Sequence, residues 1–355
     1  MGKRVLMKGN EAIAEAAMRA GCRFYFGYPI TPQTEIAHYM AKKMPLNGGT
    51  FVQAESEVAA INMVYGAASA GARTMTSSSS PGMSLKQEGI SYSACAELPM
   101  VMADIVRCGP GLGGILPAQC DYFQMVKGGG HGDYKLVVLA PSSVQELYEL
   151  TVEAFNIADR YRIPTVIMGD GNLGQMMEPV EFKDKEDIED IEKPWATTGT
   201  KMQRSNNMVT SIHIQPEVLE SVNRKLQDKY KVISEKETRF ESFNCEGADI
   251  IVTAYGSVAR IVKNVIKDAE KEGIKVGLIR PITLWPFPSD EFKKYCDSAN
   301  AFLSVEMSAG QMVEDVRLAV EGAKPVHFYG RMGGIIPTQR EILDEIKKII
   351  AGGAK

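Results

Sequence analysis

Gln53-Ala54-Glu55-Ser56-Glu57-Val58-Ala59-Ala60-Ile61-Asn62-Met63-Val64-Tyr65-Gly66-Ala67-Ala68-Ser69-Ala70-Gly71-Ala72-Arg73 runs directly into Thr74-Met75-Thr76-Ser77-Ser78-Ser79-Ser80-Pro81. The stretch reads as strand, helix, strand, loop. Ala59, Ala60, Met63, Ala67 and Ala70 recur at helical spacing with Gly66 and Gly71 among them, so the helix can press its backbone against a neighbour. A helix of such small residues is a buried one, which makes an acid in its first turn the anomaly. Glu55 and Glu57 flank Ser56 where strand meets helix. In the simplest account Ser56 caps the helix and both acids complement its dipole. In the other, one of them, Glu57 rather than Glu55, is a functional acid.

Upstream, residues 4–7 form a short strand. A helix opens at Gly9-Asn10 with Ala12, Ile13, Ala16, Ala17 and Ala20 as its apolar stripe. A strand over 22–27 leads into Tyr28-Pro29-Ile30-Thr31-Pro32 and a helix from near Gln33. Such strand-to-helix turns expose side chains and amides at the carboxyl end of a parallel sheet, where open α/β folds place ligands. The two prolines also serve simply to stiffen a loop, yet they leave the Thr31 hydroxyl between two rigid points. The serines 77–80 read equally as solvated filler or as a hydroxyl-lined wall. Residues 99–106 form a buried strand ending at Arg107, a cation suited to a carboxylate ligand or to an ion pair with Asp104 or Asp121. A glycine-rich loop over 127–134 holds His131 and Asp133. There the histidine is a hydrogen-bonding fixture or a catalytic group, and the glycines permit close approach of a second subunit. A strand at 136–140, a helix at 142–159 and a strand at 164–168 complete the first domain.

Residues 183–193 alternate acids and lysines as a solvated linker does, and 195–214 are polar and irregular. A helix over 216–232 crosses to a second alternation of strands (249–253, 275–279, 301–305, 325–329) and helices (257–271, 311–322, 338–350), which calls for a parallel sheet. The expected organisation is residues 1–182, a linker with a helix over 183–245, and a second α/β domain over 246–355. Residues 306–311 and 330–334 fall at sheet ends, positions for structural roles or for contact with a partner or coenzyme A.

The chain has 355 residues, 45% hydrophobic and 24% charged, with a net charge of −4. This describes an ordinary globular protein and speaks against a nucleic-acid binder, which carries a basic face. No apolar run is long enough to span a bilayer, and Met1 to Leu6 reads as the opening of a strand rather than a signal peptide, so no membrane association and a cytoplasmic location are expected. The six cysteines, Cys22, Cys95, Cys108, Cys120, Cys245 and Cys296, are too scattered for a compact iron–sulfur or zinc motif and read as free thiols.

Gly109-Pro110-Gly111-Leu112-Gly113-Gly114 and Gly169-Asp170-Gly171-Asn172-Leu173-Gly174 both match the dinucleotide-binding spacing. Pro110 inside the first and the absence of a long helix after the second leave no row of amides to cradle phosphates.

Taken together, Tyr28-Pro29-Ile30-Thr31-Pro32 and Ser56-Glu57-Val58-Ala59-Ala60 resemble motifs of the alpha-type chains of the 2-oxoacid:ferredoxin oxidoreductases, which use thiamine diphosphate. Further blocks are similar in the same order: Ser79 to Lys86, Gly129 to Asp133, Ala140 to Glu146 and Arg280-Pro281-Ile282-Thr283-Leu284-Trp285-Pro286. The resemblance covers nearly the whole chain. It implies a pyrimidine-binding parallel-sheet domain followed by a transketolase C-terminal-like α/β domain. Glu57 would then meet the pyrimidine ring, Tyr28 and Pro29 would shape the cofactor turn, Ile30 would hold the cofactor bent, and Thr31 and Arg107 would bind the substrate carboxylate. Gly169-Asp170-Gly171 resembles the start of the diphosphate and magnesium motif of thiamine enzymes, but the later asparagine is missing from 193–198.

The resemblance therefore implies a beta-type partner for the diphosphate and Mg2+, gamma- and ferredoxin-like subunits, [4Fe-4S] clusters on partner chains, ferredoxin as acceptor and coenzyme A as co-substrate. Residues 107–117 and 127–133 look most like the branched-chain type that acts on 3-methyl-2-oxobutanoate (2-oxoisovalerate), and Leu112 suits an aliphatic side chain. A second cation, from Lys86 or a partner, would instead fit 2-oxoglutarate. A non-catalytic nucleotide-binding or structural subunit is the reading from a different class.

Overall fold

A computed structural model of the chain describes residues 4–353. In chain order, the first half comprises β1 (Arg4–Lys8), α1 (Gly9–Arg19), β2 (Phe24–Gly27), α2 (Thr34–Lys43), β3 (Thr50–Gln53), α3 (Glu57–Ser69), β4 (Thr74–Ser78), α4 (Ser80–Cys95), β5 (Met100–Val106), β6 (Val137–Leu139), α5 (Val144–Tyr161), β7 (Pro164–Asp170), α6 (Gly171–Gln175) and β8 (Met177–Glu181). The second half comprises α7 (Pro216–Lys236), β9 (Phe240–Phe243), β10 (Ile250–Thr253), α8 (Gly256–Lys271), β11 (Val276–Pro281), β12 (Thr283–Trp285), α9 (Ser289–Lys294), β13 (Ala301–Glu306), α10 (Met312–Val320), β14 (Val326–Gly330) and α11 (Gln339–Gly353).

The larger sheet has the order β12-β6-β7-β5-β4-β2-β3 and is parallel except for β12, which runs against β6. Its central strand shows why it is sandwiched: all of β5 is buried. Val101, Ala103 and Ile105 feed the core shared with α1 and α5, whereas Met100, Met102 and Val106 feed the core shared with α3 and α4. The second sheet, β14-β13-β10-β11-β9, is parallel except for β9. Within residues 183–245, therefore, lie both α7 and a strand of the second sheet, while β12 crosses from the second half to complete the first. β1 and β8 form a separate antiparallel ribbon. All six cysteines are free, and no helix among the described residues is long and apolar enough to cross a membrane.

The two halves share one apolar core, in which Tyr122 and Met168 sit with Tyr255, Ile279 and Met312. Polar staples fix the contact. Gln119 donates from Nε2 to the Tyr255 carbonyl (3.0 Å) and accepts from the Met307 amide (2.9 Å). Arg280, 3% exposed, donates to Glu146 (2.7 and 2.8 Å), Glu241 (2.8 Å) and the Ser142 hydroxyl (2.8 Å). Burial opposes the Glu146 charge, but Arg280 and Ser142 hold its carboxyl below the ordinary range. Arg280→Met leaves Glu146 without a cation, while Glu241 keeps Lys263 at 2.6 Å. The substitution is expected to lower stability by about 3 kcal/mol, the low end for a broken buried pair because both acids keep some solvent, as measured by urea denaturation.

Candidate active site

The carboxyl ends of four adjacent strands, β3, β2, β4 and β5, carry the residues singled out by sequence. The chain leaves β2 for β3 on one side and returns to β4 on the other. The crevice between β2 and β4 is thus a topological switch point, where open parallel sheets admit ligands.

After β2, the Tyr28–Pro32 turn is held by its carbonyls. Gln33 Nε2 donates to Tyr28 O (3.2 Å) and Arg107 Nη1 to Thr31 O (2.9 Å), while Asn10 Nδ2 (2.7 Å) and Gln175 Nε2 (3.0 Å) donate to Pro32 O. Gln33 is fully buried and accepts from the Ser77 hydroxyl at 2.6 Å, which in turn pairs with the Tyr25 hydroxyl at 2.6 Å. With its backbone tied at these points, the turn leaves Tyr28, Pro29 and Thr31 exposed and Ile30 half-buried.

Arg107 is 7% exposed at the end of β5. Its Nη2 donates to Leu112 O (2.9 Å), and its amide to the Ser80 hydroxyl (3.1 Å). Nε is buried without a partner among the described residues. The ion pair with Asp104 or Asp121 does not form; the guanidinium instead ties the Thr31 turn to the 108–117 loop.

After β3, Ser56 caps α3, its hydroxyl accepting from the Ala59 amide (3.1 Å). Glu55 is exposed, whereas Glu57 is 6% exposed. The simple capping account thus describes Ser56 but leaves a buried acid to explain. Space for that acid comes from Gly82: a Cβ there would stand 2.6 Å from Glu57 Oε1 and 2.1 Å from Ser78 Oγ. Gly82 lies in α4, which begins at Ser80 where sequence reasoning expected a loop. Pro81 sits in its first turn, where a missing amide costs no helical bond.

The serine run is a buried wall. Ser77, Ser78 and Ser79 are fully buried, and the Ser78 and Ser79 hydroxyls find no partner among the described residues. Behind them Lys86 is also fully buried, donating to Thr76 Oγ1 (2.8 Å) and Ser77 O (2.9 Å). Burial pushes its ammonium down to about 7, against the pull of Glu57 and Asp104. Lys86 therefore does not reach out to a distal substrate carboxylate.

Other sequence candidates fall away from this crevice. His131 and Asp133 are exposed, and the His131 carbonyl accepts from Ser91 Oγ. The neighbouring glycines serve a contact within the chain, since a Cβ on Gly130 would stand 2.5 Å from Gln87 O. In the second glycine run Asp170 occupies the helix end itself, accepting from Asn172 N (3.0 Å) and Leu173 N (3.1 Å). Glu306 likewise accepts from the amides of Gln311, Met312 and Val313 and closes the start of α10.

A cavity of about 420 Å³ opens beside the site, between Ser80, Cys108, Asp121, Met307 and Met332. Two orphaned serine hydroxyls and a glycine cradle around Glu57 fit the pyrimidine end of thiamine diphosphate. Among the described residues no group of three or more His, Cys, Asp or Glu is placed to hold a metal ion. Sequence reasoning missed Gln33, Gly82 and the buried placement of Lys86; only a glycine and a lysine at helical spacing after Pro81 signalled the latter two.

The family model for the thiamine diphosphate-binding part of pyruvate flavodoxin/ferredoxin oxidoreductases matches residues 15–241, and that for pyruvate:ferredoxin oxidoreductase core domain II matches 248–342. The ketoisovalerate oxidoreductase subunit VorB of Methanothermobacter marburgensis is 52% identical over 97% of both chains. The 2-oxoglutarate synthase subunit KorA of the same organism is 36% identical over 98% of this chain and 99% of its own. Among solved structures, a 2-oxoglutarate:ferredoxin oxidoreductase from Magnetococcus marinus, with 2-oxoglutarate, coenzyme A and succinyl-CoA bound, superposes with a TM-score of 0.90 at 28% identity. The match covers 98% of this chain and 66% of that longer one. On its fold, its switch-point crevice and these matches, the chain belongs to the 2-oxoacid:ferredoxin oxidoreductase family.

Proposed function

We propose that this subunit takes part in the coenzyme A-dependent oxidative decarboxylation of 3-methyl-2-oxobutanoate, with electrons passed to ferredoxin. The observation that carries the site assignment is the convergence of Glu57, the Tyr28–Pro32 turn and Arg107 on one crevice. The substrate rests on the greater identity to the ketoisovalerate subunit than to the 2-oxoglutarate one, on the apolar Leu112, whose carbonyl accepts from Arg107, and on Met332 in the lining of the adjacent cavity.

Thiamine diphosphate, when bound, supplies the electron sink for the carbon that loses carbon dioxide. Glu57 holds and returns a proton at its carboxyl beside the pyrimidine, protected from water by burial under Gly82. Tyr28, Pro29 and Ile30 present a fixed surface to that group. Thr31 and Arg107 receive the substrate carboxylate, with Arg107 Nε as the free donor. The diphosphate, Mg2+ and [4Fe-4S] clusters belong to beta-, gamma- and ferredoxin-like partners in this reading, and the enzyme works in the cytoplasm.

The test is anaerobic isolation of the native complex through this chain, followed by coenzyme A-dependent dye reduction with 3-methyl-2-oxobutanoate, 2-oxoglutarate and pyruvate. Fastest reduction is expected with the branched acid; preference for 2-oxoglutarate would overturn the substrate while keeping the reaction. Arg107→Ala is expected to raise the substrate KM at least tenfold, in line with about 1.5–3 kcal/mol for a charge-assisted hydrogen bond. An unchanged KM would move the carboxylate site elsewhere.

A further inference from the structure

The two strands that flank the crevice part before they end. Backbone pairing between β2 and β4 stops at Tyr25 with Met75, whereas β2 pairs with β3 as far as Gly27 with Gln53, and β4 with β5 as far as Ser78 with Asp104. Continued pairing would hold the strands about 4.8 Å apart to their ends and close the crevice. A bridge of side chains stands in its place. The Tyr25 hydroxyl and Ser77 Oγ meet at 2.6 Å, Ser77 Oγ donates to Gln33 Oε1 at 2.6 Å, and Gln33 Nε2 donates to Tyr28 O at 3.2 Å. Tyr25, Ser77 and Gln33 are all fully buried.

The bridge runs in one direction. Ser77 has a single hydroxyl proton and gives it to Gln33, so the Tyr25 hydroxyl is the donor to Ser77. A flipped Gln33 amide would set its oxygen against the Tyr28 carbonyl, two acceptors in contact. Each member is also held from elsewhere. The Tyr25 ring stacks on Phe51 with centroids 5.5 Å apart, Lys86 donates to Ser77 O at 2.9 Å, and the Gln33 backbone amide donates to Ile30 O at 3.1 Å. Gly27 leaves the space for this arrangement, since a Cβ there would stand 2.6 Å from the Tyr25 hydroxyl oxygen. The next two hydroxyls of the run, on Ser78 and Ser79, have no partner among the described residues. The bridge is therefore particular to Ser77.

We propose that Gln33 is a positioning residue, and that the bridge from Tyr25 through Ser77 to Gln33 sets the distance of the Tyr28–Pro32 turn from β4 and so the affinity of the crevice for thiamine diphosphate. Gln33 is buried below the turn and acts through the carbonyls of Tyr28 and Ile30. A turn that is already fixed loses little freedom when a ligand arrives, and cutting its ties makes binding carry that cost. The inference rests on the crevice being the cofactor site and is independent of which 2-oxoacid reacts there.

The experiment uses the native complex carrying Gln33→Leu, which nearly keeps the volume and breaks both side-chain bonds, or Ser77→Ala, which leaves Gln33 in place without its donor. In the cofactor-depleted complex, hydrogen exchange over residues 24–33 is expected to run about tenfold faster in both variants. Calorimetric titration with thiamine diphosphate and Mg2+ is expected to give a dissociation constant raised about tenfold, or about 1.4 kcal/mol, with kcat at saturating cofactor within about twofold of the parent. Tyr25→Phe spares the bond between Ser77 and Gln33; it is expected to shift both readings less in the same direction, and it carries the test if the other variants fail to assemble. Parental exchange and parental affinity in the variants overturn the inference. A lowered melting midpoint with unchanged affinity also overturns it, leaving the bridge structural. A parent complex that does not bind thiamine diphosphate overturns the reading of the crevice and the affinity claim with it. Exchange is measured without the cofactor, so failure of that reading is separable from failure of the bridge to hold the turn.

Discussion

Glu57→Gln is expected to lower turnover by about 10²–10⁴-fold, the range that a positioned acid or base supplies, while the complex still assembles. The amide keeps the volume of the acid at the first turn of α3, and Ser56, which caps that helix, is untouched. What disappears is the ionisable carboxyl buried at the first turn of α3. The matching control is Glu55→Gln: Glu55 is exposed on the other side of the cap, so its loss is expected to leave turnover within twofold. Dye reduction by the two purified variant complexes, with size-exclusion profiles to verify assembly, decides the matter. Normal turnover in Glu57→Gln would remove this residue from the chemistry, and a large effect in Glu55→Gln would move the assignment by two positions.

Gly82→Ala tests the same carboxyl without touching it. The added methyl would stand 2.1 Å from Ser78 Oγ and 2.6 Å from Glu57 Oε1, closer than non-bonded atoms tolerate. Alanine favours helix over glycine, so α4 itself would gain while the carboxyl is displaced. Displacement by about 1 Å costs about 10²-fold in rate where geometry governs reaction, and overpacking at a buried position costs about 1–3 kcal/mol. The expected result is a loss of activity of about 10²-fold with a lowered melting midpoint. If activity stays normal, Glu57 has room to move and its fixed position is not what the reaction uses.

The strands and most helices were legible because their residues carry period and burial together. β5 is apolar throughout, as a central parallel strand must be, and α1 shows its alanine stripe. The Tyr28–Pro32 turn and Glu57 stood out for the same reason in reverse: rigid or charged residues where the surrounding pattern is small and apolar. α4 was hidden, because Gly82, Lys86, Gln87, Gly89 and Ser93 are buried along it and polar side chains on a buried face erase the apolar period. The fate of Lys86 follows from that: read in a loop it looked free to meet a ligand, whereas in a helix packed under β4 it meets Thr76 and Ser77. Arg107 lies at the end of β5, as the sequence indicates, and the alternative of an ion pair with Asp104 or Asp121 gives way to the carbonyls of Thr31 and Leu112, acceptors that carry no signature in sequence. Asp104 lay in plain view within an apolar strand; only the fold shows that its buried oxygens have no partner among the described residues.

The antiparallel strand β12 sets an order on how the chain is made. Thr283 and Trp285 cover the edge of β6 through Leu139 and Val138, an edge otherwise bare of partners. Every other strand of that sheet has been synthesised by Asp170, yet the ribosome must add the linker, α7 and three of the five strands of the second sheet before the last strand arrives. At ordinary elongation rates that interval is on the order of ten seconds. Throughout it the nascent catalytic half presents an open strand edge, the kind that captures other chains. The late-arriving strand thus makes completion of the catalytic sheet contingent on translation of the second half.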